Sequence, residues 1–144
     1  MTVATLPPDW PALLAAWPAG QPELARALRR LVVAASRLPG TTLGLVTRPG
    51  VSASLRAGLA APPAGRSRPL YFLVDVVMLA QDPWFLSACF YADEVSDPLG
   101  LGNAIPQGLF QETGYCFDVE GEDATLLGYL EDRIQEAYGR AGQG

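Results

Sequence analysis

The chain has 144 residues, 49% hydrophobic and 17% charged, with 15 Gly and 13 Pro, which is the length of one domain able to bury roughly two-thirds of its unfolded surface. All ten basic residues are arginine, and lysine and histidine are both absent. These absences exclude imidazole metal ligands, Ser-His-Asp and Cys-His pairs, His general bases, Schiff-base lysines and a phosphate-loop lysine.

Asp9 stands where a helix N-cap is needed, with Pro11 in the first turn. Trp10, Leu13, Leu14 and Trp17 give this short helix an apolar side before Pro18-Ala19-Gly20 ends it. A second helix is predicted from Pro22 to about Arg37, because Leu24, Ala27, Leu28, Leu31, Val32 and Ala35 recur at three- and four-residue steps. Pro39-Gly40 stops it. The period then changes to two. Thr42 to Thr47 and Val51 to Arg56 are predicted strands around Arg48-Pro49-Gly50, where Pro followed by Gly suits a type II turn. Residues 58–69 read as a loop. Leu70 to Leu79 and Trp84 to Asp93 are rich in β-branched and aromatic residues, and the four residues between them predict an antiparallel hairpin. Residues 94–113 show no period and are expected to be a long loop, with room for a short helical turn. Tyr115 to Glu120 is a further strand. A last helix takes Asp123 as N-cap and Leu126, Leu127, Leu130, Ile134 and Ala137 or Tyr138 as its apolar face. Residues 140–144 are expected to form a disordered tail.

Strands grouped between helices predict an α+β domain. Its sheet should be mainly antiparallel with four to five strands, and two N-terminal helices and one C-terminal helix should pack on it. A single domain over 1–144 then divides into helices in 1–39, the sheet in 40–120 and the C-terminal helix in 121–139. Residues 1–74 hold eight arginines against Asp9 and Glu23, a balance of +6, while residues 75–144 hold two against thirteen acids, a balance of −11. Complementary halves favour one intramolecular body or a self-associating pair, a homodimer. Most aromatics fall in the acidic half, so the interleaved basic and aromatic footprint of a nucleic-acid partner is missing. The first residues lack the charge pattern of a secretory signal, and no apolar run approaches the roughly 18 residues of a membrane span. A cytoplasmic location is expected, with Cys89 and Cys116 as reduced thiols.

Strand alternation places Tyr71, Asp75, Ser87, Cys89 and Tyr91 on the more polar face of the hairpin, with Cys116 and Asp118 as the corresponding pair in the next strand. Asp75 interrupts LYFLVDVVML, so it must be exposed, paired with Arg48 or Arg56, or shifted in its titration as a ligand carboxylate or general base. Cys89 and Cys116 read as small buried hydrophobes or as nucleophiles activated by an arginine. Arg48 and Arg56 bracket RPGVSASLR and read as a clamp for a carboxylate or phosphate, or as partners of the acidic half. Asp93, Glu94, Asp97 and Glu112 match no calcium loop and read as a solvated acidic turn. Gly100-x-Gly102 lacks the third glycine of a dinucleotide site. No cofactor and no metal are expected.

RPGVSASLR, WFLSACFYADEVSDP and GYCFDVE together resemble a family of small bacterial α+β proteins with no assigned function. The resemblance spans roughly residues 40–138 and implies neither a catalytic residue nor a cofactor. The leading expectation is a non-catalytic protein that self-associates or binds a small ligand through the face around Tyr71, Asp75 and Tyr91 and the segment 94–113. Its rivals are an enzyme acting on an anionic small molecule through Asp75 or Cys89 with Arg48 and Arg56, and an adaptor for another protein.

Overall fold

The computed structural model describes residues 4–143. Helices α1 (Trp10–Ala15) and α2 (Pro22–Ser36) lead into strands β1 (Thr41–Arg48), β2 (Ser52–Leu59), β3 (Phe72–Val77) and β4 (Phe85–Tyr91). A 3₁₀ turn at Ala92–Glu94, strands β5 (Asn103–Leu109) and β6 (Glu112–Val119) and helix α3 (Ala124–Ala141) follow. The strands form one antiparallel sheet in the order β1-β2-β3-β4-β6-β5. It has six strands rather than four to five. The additional one, β5, lies inside the segment expected to be a loop. Arg140 and Ala141 are helical rather than part of a disordered tail, and Gly144 lies outside the described residues. Among the described residues no helix is long and apolar enough to cross a membrane.

Local chemistry explains most element ends. Pro22 opens α2, where its missing N–H removes nothing from the helix ladder. Asp123 caps α3, accepting from the backbone N–H of Thr125 and Leu126, both at 3.1 Å. Asp9 sits at the cap of α1 but its side chain makes no cap bond. At the β1–β2 turn Gly50 has φ +75° and Val51 N–H donates to Arg48 C=O at 2.9 Å, as a type II turn requires after Pro49.

The helices cover one face of the sheet. Leu24, Ala27, Leu28, Leu31, Val32 and Ala35 of α2 and Leu127, Leu130, Ile134 and Ala137 of α3 are buried against Leu55, Phe72, Val74, Val76, Leu86, Phe90, Phe117 and Val119. Burying each large side chain contributes about 1.5–3 kcal/mol. Phe90 anchors the aromatic part of this core, stacked on Phe72 at 5.2 Å and edge-on to Phe117 at 6.0 Å. Among the described residues the opposite face carries no helix. A smaller apolar cluster of Leu70, Leu73, Cys89, Tyr91 and Leu109 lies on that side.

The β5–β6 hairpin shapes this open side. Its register shifts between Ile105 and Leu109, and Leu109 pairs with Glu112 across the two-residue turn Phe110-Gln111. Both turn residues have positive φ, +49° and +68°, and Gln107 has +57°. The tip brings Leu109 onto Leu73 and Tyr91 and carries Phe110 over to Arg56 of β2.

Candidate sheet-face site

Strand register builds the open face in rows. Ser54, Asp75, Ser87 and Asp118 are successive cross-strand partners through β2, β3, β4 and β6. The neighbouring row runs Arg56, Leu73, Cys89, Cys116. Arg48 pairs with Ser52 and so belongs to the same face at the far end of β1. Arg48, Arg56, Asp75, Cys89 and Tyr91 therefore share one side of the sheet.

Tyr71 does not join them. Its N–H donates to Ala57 C=O at 2.9 Å, although Phe72 is the register partner of Ala57. Two residues thus face one, as in a β-bulge, and the alternation slips by a position. Tyr71 turns to the helix side, where it bonds Thr41 Oγ1 at 2.8 Å and meets Tyr138 of α3 edge-on at 5.5 Å. Burial pushes its hydroxyl up to about 12, against the lowering effect of the Thr41 bond.

The remaining candidates share a face without converging on a reaction centre. Cys89 and Cys116 are joined in a disulfide rather than reduced. They are direct register partners with Cα atoms 4.2 Å apart, a proximity their 27-residue separation did not reveal. Neither sulfur is a free thiolate in this state. Arg56 donates from Nε to Ser54 Oγ at 3.2 Å and lies over the Phe110 ring at 5.2 Å. Asp75 is half-buried between Ser54 and Ser87, and among the described residues it forms no ion pair with Arg48 or Arg56. Tyr91 is fully buried, with the Arg68 guanidinium 4.3 Å above its ring and no hydrogen-bond partner for its hydroxyl. Burial raises the titration of that hydroxyl, as does the Glu112 carboxylate nearby.

Two polar clusters stand beside this face, and both use residues that sequence reasoning treated as a solvated turn. In the first, Arg66 grips Glu94 at 2.6 and 3.1 Å and Leu70 C=O at 2.9 Å. Both side chains are more than nine-tenths buried. Arg68 bridges Asp93 at 2.8 and 3.1 Å and Glu112 at 2.7 Å, which lowers the titration of both carboxylates. These partners lie 25 to 44 residues away in sequence, so only the acids' proximity to one another was legible. In the second cluster Asp97 Oδ2 accepts from Tyr115 at 2.5 Å and Gly102 N–H at 2.9 Å. Its Oδ1 accepts from Tyr129 at 2.5 Å and Leu101 N–H at 3.0 Å. Burial opposes the charge, yet these four donors outweigh it and hold the carboxyl well below its ordinary range. This carboxylate holds the segment between β4 and β5 together with Glu136, which accepts from Ser96 N–H at 2.9 Å.

The larger grooves avoid the sheet-face candidates. An open groove of about 570 Å³ lies among Pro39, Leu59, Pro63 and Tyr138, and another of about 530 Å³ among Leu13, Pro49, Met78 and Trp84. None of Arg48, Arg56, Tyr71, Asp75, Cys89 or Tyr91 lines either. What the face can do is bind: it offers hydroxyls, two carboxylates and two arginines with no ion-pair partner among the described residues. Comparison with protein families, curated proteins and solved structures gives no match.

Proposed function

We propose that this chain works by binding rather than by catalysis, and that its partner is a second copy of itself. The observation that carries the reading is the end of the sheet at β1: three helices bury one face, while β1, paired only with β2 among the described residues, leaves Thr42, Gly44, Val46 (43% exposed) and Thr47 at the surface. The groups that would support an enzyme are apart or already engaged. The cysteines are bonded to each other, Arg56 is held by Ser54 and Phe110, and Asp75 touches neither arginine. Light scattering on the purified chain tests the reading. The expected mass is twice 15.3 kDa at micromolar concentration, and a mass of 15.3 kDa up to about 100 μM, where any dimer would be weaker than about −5.5 kcal/mol, would overturn it.

A small-ligand reading has one observation in its favour: among the described residues, Arg48 and Arg56 have no carboxylate within ion-pair distance. It would place an anion on the β1–β2 side of the face.

A further inference from the structure

From the hydrogen-bond pattern of β1, we infer that two copies join edge to edge, antiparallel, with the two-fold axis at Gly44. This inference rests on the self-association proposed above and names its surface.

The two ends of the sheet differ. At one end β5 carries Pro106, a register shift and Gln107 at positive φ, features that spoil a strand as a template for another chain. At the other end β1 runs for eight residues with no proline and no charge before Arg48. Gly40 C=O accepts from Ala60 N–H at 2.8 Å, which fixes the phase of the ladder. Even-numbered residues of β1 then bond β2, and the odd-numbered ones point their backbone groups outward. Thr41 N–H is used by Leu38 C=O. Among the described residues, Thr41 C=O and both groups of Leu43, Leu45 and Thr47 lie on the free edge.

A second β1 satisfies them. With Gly44 opposite Gly44, Leu43 pairs with Leu45 and Thr41 with Thr47 of the other copy, making about six interchain hydrogen bonds. Leu43 and Leu45 already pack at the margin of the main core, so the seam continues that core from one copy into the next. On the open side Thr42 meets Val46, and Arg48 falls opposite Gly40. The glycine itself fits this role. Among the described residues a Cβ at Gly44 would meet nothing within 4 Å, so the axis position is open to another backbone. The open face is a poorer seam, because the β5–β6 tip lies across it with Phe110 on Arg56.

Charge-pair variants at Thr42 and Val46, both exposed, test the register in the intact chain. T42K/V46K sets lysine opposite lysine twice and should weaken self-association at least about tenfold at low salt. T42E/V46K sets glutamate opposite lysine twice and should keep it. Hydrogen exchange supplies the second readout: the amides of Leu43, Leu45 and Thr47 should be protected in the wild-type dimer and exchange freely in T42K/V46K. A dimer whose mass ignores both variants, with those three amides unprotected, would sink the edge and leave self-association standing. A wild-type monomer would sink both.

Discussion

Asp97 shows how one carboxylate substitutes for secondary structure. It accepts four hydrogen bonds from Tyr115, Tyr129, Gly102 and Leu101, and so ties β6 and α3 to the segment that connects β4 with β5. Because these donors favour the charged form, the folded chain keeps this proton off to lower pH than the unfolded chain does. Its stabilising contribution is therefore complete above the unfolded value of about 3.9 and is lost as pH falls toward the depressed folded value. Asp97→Asn should cost about 1–3 kcal/mol at pH 7 by urea denaturation, and the gap to wild type should begin to narrow as pH falls below about 4. A gap independent of pH would show that the tyrosines, not the charge, hold the segment.

Arg66 and Glu94 pose a different problem, since both are buried. Removing one partner leaves an uncompensated charge inside the fold. Glu94→Leu alone should cost about 3–5 kcal/mol, whereas Arg66→Met with Glu94→Leu should recover much of that loss. Denaturant midpoints of the single and double variants decide the matter, and an additive double variant would mean that the two side chains do not act as a pair.

At the scale of elements, the β5–β6 hairpin is the segment least well served by its sequence. A two-residue turn with positive φ at both positions favours Asn-Gly, and here it holds Phe110-Gln111. Gln111→Gly should stabilise the chain by about 1 kcal/mol, since a non-glycine residue in the left-handed region costs about 1–2 kcal/mol. A thermal midpoint that falls instead would show that the Gln111 side chain contributes contacts worth more than its strain. The same irregularity explains why β5 could not be read from sequence. Pro106, Gly108 and the register shift erase the alternation by which a strand is recognised. Where signals are local the reading and the fold agree, as at the Asp123 cap, the Pro49-Gly50 turn and the buried stripe of α2. Alternation correctly put Asp75, Ser87, Cys89 and Tyr91 on one face, and it failed at Tyr71 because a bulge of one residue lies immediately before β3. The ion-pair partners and the disulfide were not legible, being set by register between strands distant in the chain.

At the scale of the whole molecule, the imbalance between the halves becomes a pattern of contacts. Arg26 reaches Glu122, Arg30 reaches Glu131, Arg66 reaches Glu94, and Arg68 reaches Asp93 and Glu112. Each of these bridges joins a residue before position 75 to one after it. Four arginines of the first half, at positions 29, 37, 48 and 56, form no such bridge among the described residues, and the acids Asp75 and Asp118 are likewise left over. In the proposed edge-to-edge dimer the open faces of both copies lie on the same side of one continuous sheet, so Arg48, Arg56, Asp75 and Asp118 of the two copies are presented side by side.

The bridges also set a timetable for synthesis. The ribosome releases the arginine-rich half first, and at about 5–20 residues per second the acids follow over roughly 4–14 s. During that interval the first half carries its net +6 alone, with Arg26 beside Glu23 of its own helix and Arg30 still without Glu131. Glu131 lies in α3 and Glu122 just before it, so the bridges that hold α2 to the end of the chain close only once the last helix has been made.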